Sequence, residues 1–332
     1  MKAAVLEQIN TPLQIRDIEI PELKDGQVLL KMNCAGICGA QIQEIEGKKG
    51  DPSHLPHLLG HEGSGLVLKV DESVTNAQRG DFAVVHWKVS PGVCPSELPV
   101  FGLIKAGPCT TFSEYAIVSE NRVTPISADV PSDLACLLGC CLSTALATVE
   151  NVARIKRGER VLIVGCGGVG LAMILASKLA GATQITATDS MQSKSKLAHD
   201  IGATGFIPAY MEDYYFGPDR FDVIIDTAGV ITRANLLAKD GRYIMVGQPL
   251  PEMTLQPFTA GWIFQGNGGR VEATNGGGFN PTKDIPRYVQ MWRDGKLDDY
   301  TKIITHRIKL DEINQGISLM RDGKAGRVII EM

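Results

Sequence analysis

Val161-Leu-Ile-Val-Gly165-Cys-Gly167-Gly168-Val-Gly170-Leu-Ala-Met-Ile-Leu175 is the stretch that decides the fold. The aliphatic run from Val161 to Val164 reads as a strand covered on both faces. It enters a Gly-x-Gly-x-x-Gly turn, and an apolar helical pattern follows as far as Gly181. A second short strand, Ile185-Thr-Ala-Thr188, closes on Asp189. Strand, glycine turn, helix, strand and acid stand in the order that a dinucleotide site requires. Gly165 permits a tight turn, Gly167 lets the backbone approach a pyrophosphate, and Gly170 lets the helix pack close to the strand. The unpaired N–H groups at the helix start offer the phosphates partial positive charge. A carboxylate ending the second strand suits a ribose 2′-hydroxyl and repels a 2′-phosphate, so NAD is expected rather than NADP.

Working outward, strand and helix alternate: strands at 161–164, 185–188, 205–207, 223–226 and 243–246, helices at 168–180 and 192–201, and a short helix near 231–238. That alternation predicts a doubly wound parallel sheet. Val271–Asn275 reads as a further strand, late and at the sheet edge. Upstream, about 130 residues carry short apolar runs between turn signals, the pattern of a β-rich barrel or sandwich. A long helix is expected from Asp133 to about Ala153, with Ser132 or Asp133 as N-cap. Downstream come a helix (283–294), a strand (303–308), a helix (311–322) and a strand (327–331). This tail is expected to return to the first domain, because the doubly wound unit is complete without it.

At 332 residues the chain exceeds a single ordinary core, so two domains are expected. A formal net charge of −4 gives no electrostatic reason to expect nucleic acid or an anionic membrane as partner. Glu7 interrupts the N-terminal apolar pattern before it reaches signal-peptide length, and no run approaches a membrane span. Eight cysteines in so long a chain direct attention to metal or redox chemistry rather than a disulfide scaffold, and a cytoplasmic location is expected.

The chemistry lies in three separated pieces: Cys34-Ala-Gly-Ile-Cys38-Gly-Ala-Gln41, Leu58-Leu-Gly60-His61-Glu62-Gly63, and Leu137-Leu-Gly139-Cys140-Cys141-Leu-Ser-Thr144. Cys, His and Cys can hold Zn²⁺ and leave one tetrahedral position open. Taken singly, each cysteine fits a core position better than a ligand position, and a His beside a Glu is more often an ordinary satisfied pair. Spacing alone does not bring these loops together.

Further motifs run in order along the chain: Ala35-Gly-Ile-Cys38-Gly, Gly60-His-Glu-Gly-Ser-Gly65, Gly80-Asp81, Thr111-Phe-Ser-Glu-Tyr-Ala-Ile117, the glycine fingerprint and Gly326-Arg327-Val-Ile-Ile330. Together they resemble the medium-chain, zinc-dependent alcohol and polyol dehydrogenase family over nearly the whole chain. The resemblance implies a β-rich, GroES-like catalytic domain from residues 1–141 and 276–332 around an inserted Rossmann domain, 142–275, that binds NAD. It implies one catalytic Zn²⁺ on Cys38, His61 and Cys140, with Glu62 as a nearby carboxylate that enters or leaves the metal shell. Cofactor contacts carry over to Gly165, Gly167, Gly168, Val169, Gly170, Asp189 and Lys194 on the ribose side, Thr144 on the nicotinamide side, and Arg327 at the pyrophosphate. Trp87 falls at a wall of the substrate pocket, with an ordinary core tryptophan as the alternative. The implied reaction transfers hydride between an alcohol and NAD, with the metal as Lewis acid. Family members dimerise through such sheet edges and some pair again, so a homodimer or homotetramer is expected.

Three departures stand out. Residues 88–108 offer only Cys94, with Cys109 next, so no structural zinc is expected. Ala40 and Gln43 stand where many members place a hydroxyl and a histidine as proton relay, leaving His57, Glu44 or a water chain. Gln41 replaces the Asp that commonly orients the ligand histidine, with its amide oxygen left to accept that bond. The polar stretch from Glu44 to His57 fits a polyol, sugar or cyclitol, and equally a solvated loop. Two rivals remain open: a zinc-free NAD(P)H-dependent reductase of activated double bonds, and a catalytically silent nucleotide-binding protein.

Overall fold

The computed structural model describes residues 1–211, 220–231, 233–249 and 268–332. They divide into two compact units. One comprises Met1–Ser143, Asn280–Leu297 and Ile304–Met332, the other Thr144–Phe279 and Asp298–Ile303.

The first unit opens with β1 (Lys2–Leu6), β2 (Gln14–Asp17), β3 (Gln27–Ile37), helix α1 (Gly39–Ile45), β4 (His57–Leu58), β5 (Gly63–Val70), β6 (Phe82–Val85), β7 (Val100–Phe101), β8 (Ile104–Lys105), β9 (Tyr115–Ser119) and β10 (Val123–Ile126). Helix α2 (Ser132–Leu138) follows, and α3 (Cys141–Ala147) leads into the second unit. There β11 (Arg160–Val164), α4 (Gly168–Leu179), β12 (Gln184–Asp189), α5 (Lys194–Ile201), β13 (Gly205–Pro208), β14 (Phe221–Asp226), β15 (Leu237–Met245) and β16 (Arg270–Ala273) succeed one another. The helices Pro281–Arg293 and Ile313–Arg321, with β17 (Ile304–Lys309) and β18 (Arg327–Glu331), belong to the first unit.

Two sheets build the first unit, one in the order β2-β1-β4-β8-β7, the other β10-β6-β5-β3-β18-β17 with β9 also paired to β3. The register explains how remote loops meet. Antiparallel pairing sets Ala35 opposite Gly63, which brings the chain entering Cys38 beside the chain leaving Glu62. On the other edge of β3, β18 pairs Val328 with Ile37 and Ile330 with Ala35. Ala35, Ile37, Leu59, Phe112, Val328 and Ile330 are buried in one apolar cluster beneath these strands. A fully buried Ile or Val of this kind contributes about 1.5–3 kcal/mol, so the tail is anchored rather than appended.

The second unit holds a parallel sheet in the order β13-β12-β11-β14-β15-β16. Val161, Leu162 and Ile163 of β11 and Val223, Ile224 and Ile225 of β14 are fully buried, as central parallel strands covered on both faces must be. Asp298–Ile303 joins this unit through Lys178, which donates to Asp299 at 2.8 Å, and Lys302, which donates to the Asp200 carbonyl at 2.9 Å. β16 lies at the sheet edge with all four residues exposed.

Two expectations need correction. The short helix near 231–238 is a 3₁₀ turn (Ala234–Leu236) running into β15. Leu236 and Leu237 are buried against Phe221 and Tyr243, so sheet packing overrides the weak helical pattern. The long helix from Asp133 to Ala153 is interrupted at Gly139-Cys140 and ends in a π-helical turn, Thr148–Ala153. Gly139 is pressed against β6, where a Cβ would lie 2.3 Å from the Val85 carbonyl, and its own carbonyl accepts from Trp87 N–H at 3.4 Å. Among the described residues no single helix is long and apolar enough to cross a membrane.

Candidate metal and nucleotide sites

β3 runs out at Ile37, and Cys38 caps α1, whose third residue, Gln41, is turned inward and 2% exposed. His61 and Glu62 occupy the turn before β5, and the break at Gly139 frees Cys140 from the helical ladder. These three segments converge. The ligand atoms of Cys38, His61 and Cys140 all lie within 4.8 Å of one another. The buried His61 Nε2 has no hydrogen-bond partner among the described residues. A buried nitrogen left unsatisfied beside two sulfurs is the donor set of a tetrahedral zinc site with an open position, so the residues present fit that metal.

Electrostatics separates these cysteines from their neighbours. The Cys140 thiol donates to Cys38, which holds the Cys38 thiol well below its ordinary value and drives that of Cys140 well above. Only one of two such close sulfurs gives up its proton readily without a cation between them. Burial is the main cause that pushes Cys34, Cys109 and Cys141 up to about 12, the behaviour of core thiols.

Glu62 is fully buried but outside the cluster of ligand atoms. Its Oε1 accepts from Arg327 Nε at 2.8 Å and also from Nη2, while its Oε2 accepts from the Cys141 N–H at 3.0 Å. A Cβ on Gly36 would collide with this carboxylate, so Gly36 is required where the chain passes it. Arg327, expected at a pyrophosphate, is 1% exposed with its guanidinium paired to Glu62. Burial opposes its charge, and the Glu62 carboxylate together with Cys141, Cys38 and Cys140 more than offsets that effect.

Gln41 also differs from expectation. Its amide nitrogen, not its oxygen, lies 2.6 Å from His61 Nδ1, because Oε1 accepts from the Cys38 N–H at 3.2 Å. Glu44 follows on α1, half-buried; burial raises its carboxyl, and its field reaches Lys49, His61, His57 and Cys38. His57 donates from Nδ1 to the Leu58 carbonyl at 2.9 Å. Trp87 is half-buried with Nε1 unpartnered among the described residues, and the Lys88 ammonium stands 5.3 Å from its ring. Its backbone is pinned by Arg122, which donates to the Trp87 carbonyl. His86 donates from Nδ1 to the Lys88 carbonyl at 2.7 Å and accepts from Thr124 at 3.0 Å.

In the second unit the glycine turn has the form its sequence demands. Gly165 is left-handed at φ +90°, and a Cβ on Gly170 would lie 1.8 Å from the Gly165 carbonyl. Among the described residues nothing lies within 4 Å of a Cβ built on Gly167, which leaves the backbone open to an approaching phosphate. Gly168, Val169 and Gly170 form the first turn of α4. Asp189 accepts from Cys166 N–H at 2.7 Å and Met191 N–H at 2.8 Å, which ties the acid to the glycine turn. Lys194 is 4% exposed at the start of α5, and burial lowers its pKa against the pull of Asp189. Thr144 is buried on α3. Sequence reading missed α1, His86, Glu120 and Asp226. Of these, Asp226 carried a visible signal: a carboxylate ending the buried run Val223–Ile225.

Residues 24–128 match the alcohol dehydrogenase GroES-like domain, and residues 168–292 match the zinc-binding dehydrogenase domain. The S-(hydroxymethyl)glutathione dehydrogenase of Photobacterium damsela subsp. piscicida is 29% identical over 375 residues, covering 99% of both chains. Benzyl alcohol dehydrogenase from Acinetobacter calcoaceticus shares the fold with a TM-score of 0.87 at 24% identity, covering 100% of this chain and 99% of that one. The 2R,3R-butanediol dehydrogenase of Bacillus subtilis shares it with a TM-score of 0.78 at 23% identity, over 100% and 99%. The chain belongs to the medium-chain, zinc-dependent alcohol dehydrogenase family.

Proposed function

We propose that the protein is an NAD-dependent dehydrogenase of a polyol, sugar or cyclitol hydroxyl, with one catalytic zinc on Cys38, His61 and Cys140 and no structural zinc. The observation that carries this reading is the convergence of those three ligand atoms within 4.8 Å around an unpartnered His61 Nε2. When bound, zinc supplies Lewis acidity that lowers the pKa of a substrate hydroxyl by several units. The first unit serves as the catalytic domain and the second as the nucleotide domain. Asp189, at the end of β12, holds the ribose and disfavours a 2′-phosphate. Glu62 keeps its ion pair with Arg327, and the guanidinium steadies the negative charge of the Cys38 and Cys140 thiolates. Glu44 carries the substrate proton away in place of the missing relay, its burial keeping the carboxyl readily protonated.

The partner is a small alcohol or carbonyl compound and a second copy of the chain. β16 supports the latter: a two-fold antiparallel pairing centred on Val271 sets Arg270 against Glu272 of its twin, both exposed. Eight unpaired cysteines favour the reducing cytoplasm. The test is an NAD-reduction screen over polyols, cyclitols and sugar phosphates, with metal analysis and a zinc chelator. Zinc near one equivalent and turnover lost on chelation are expected. Zinc-free protein whose turnover ignores the chelator would overturn the reading in favour of metal-independent reduction.

A further inference from the structure

Asp226 ends β14 fully buried, and neither the metal nor the ribose reading uses it. Its Oδ1 accepts from the N–H groups of Ala228 at 2.9 Å and Gly229 at 2.8 Å. Its Oδ2 accepts from the Ile231 N–H at 2.7 Å and the Tyr243 hydroxyl at 3.2 Å. The Asp226 carbonyl accepts from Val246 and Gly247 at 2.8 and 2.9 Å. One residue therefore holds both the turn after β14 and the turn after β15.

The next residue ties these turns to the glycine fingerprint. Thr227 Oγ1 donates to the carbonyls of Val164 at 2.9 Å and Gly165 at 3.1 Å. Packing between the turns leaves no slack. A Cβ on Gly247 would lie 2.3 Å from the Gly229 nitrogen, and one on Gly229 would lie 3.1 Å from the Gln248 backbone. The turn is left-handed at Gly229 (φ +71°) and again at Ile231 (φ +46°), where a β-branched residue rarely goes. Such a backbone persists only when its surroundings impose it, and the Asp226 carboxylate is what meets the Ile231 N–H.

These turns stand at the carboxyl ends of β11, β14 and β15. Strand order reverses at β11, with β12 and β13 on one side and β14 on the other. In an open doubly wound sheet the ligand lies in the crevice at that reversal. We propose that Asp226 is a positioning residue for the nicotinamide half of the dinucleotide: it fixes the backbone of residues 228–231 and 246–248 as the wall on which that half rests. The proposal rests on the dinucleotide reading above. A carboxylate is needed because, among the described residues, all four groups that converge on it are donors. An amide would turn N–H against N–H.

The test compares full-length Asp226→Asn and Tyr243→Phe with the parent, using NADH as the whole ligand and AMP as a probe of the adenosine half alone. Affinities are read by calorimetry, and KM for NAD is followed separately from kcat. Asp226→Asn is expected to weaken NADH by about tenfold and raise KM for NAD, since a buried donor is left unmatched, with AMP unchanged. Tyr243→Phe is expected to do the same more weakly, and it carries the test if Asp226→Asn does not fold. Equal weakening of AMP and NADH means a merely structural role and overturns the proposal, as does no change in either. A parent that binds AMP and NADH with neither measurable affinity nor turnover defeats the dinucleotide reading itself.

Discussion

Replacing Gln41 by Glu tests how the His61 imidazole is presented to a metal. The Gln41 amide nitrogen lies 2.6 Å from Nδ1, so Nδ1 accepts and the ring proton resides on Nε2, the nitrogen without a partner. Ligation through Nε2 requires the opposite tautomer, with the proton on Nδ1. The amide must then turn over and give up the bond that its oxygen accepts from the Cys38 N–H at 3.2 Å, worth about 1 kcal/mol. A glutamate of the same length presents an acceptor to both N–H groups and needs no rearrangement. Bonds to a charged acceptor contribute about 1.5–3 kcal/mol against about 0.5–1.5 for neutral ones, so Gln41→Glu should bind zinc about tenfold more tightly. Gln41→Ala, which loses both contacts, should bind it about 10–100-fold more weakly. Position 41 is 2% exposed, so a carboxylate there is destabilising without metal. Zinc should therefore raise the melting temperature of Gln41→Glu by more than that of the parent. Competition with a chelator of known affinity measures all three proteins. If Gln41→Glu holds zinc no more tightly, or Gln41→Ala no more weakly, the tautomer argument is refuted.

Burial lowers the His86 pKa from 6.5 to about 4, so the folded protein resists a proton that the unfolded chain accepts. Its contribution is complete above pH 6.5 and is lost as the pH falls towards 4, a change of about 3 kcal/mol at ~1.36 kcal/mol per unit. Urea unfolding of the parent should weaken more steeply over that range than unfolding of His86→Asn. Arg327→Met should destabilise by about 3–5 kcal/mol, because it strands a buried carboxylate. The double variant with Glu62→Gln should recover most of that loss in thermal melts, whereas additive losses would show the pair to be uncoupled. Arg270→Glu should shift sedimentation equilibrium towards monomer, and adding Glu272→Arg should reverse it. An unchanged mass would place the interface elsewhere.

The nucleotide unit was legible because its information is local. Val161 to Asp189 contains strand, turn, helix and acid in one run, and each glycine has a reason visible within a few residues. The candidate metal cluster was not legible from spacing. Cys38, His61 and Cys140 meet only because β3 and β5 pair in one register and Gly139 is pressed against β6, which are tertiary facts. Family resemblance supplied that step. Buried acids were the hardest to read. Glu120 accepts from Thr75, Asn76 and Val93 N–H groups at 2.6 Å and so clips two loops, yet in sequence it is one more polar residue in Ser119-Glu-Asn-Arg122. The partner of Arg327 was hidden for a related reason: nothing local says that a guanidinium beside β18 finds Glu62.

The pairing of β18 with β3 sets a timetable for biogenesis. At ~5–20 residues per second a ribosome delivers Arg327 about 10 to 40 s after Cys140. For that interval both thiols and the imidazole are already outside the exit tunnel, while Glu62 still lacks its counter-charge and β3 has an open edge. The inserted nucleotide unit is fully synthesised within the same window and is free to fold ahead of the unit that encloses it. A nascent chain stalled before residue 327 should therefore recruit edge-binding chaperones, and should release them only once the remaining residues have emerged.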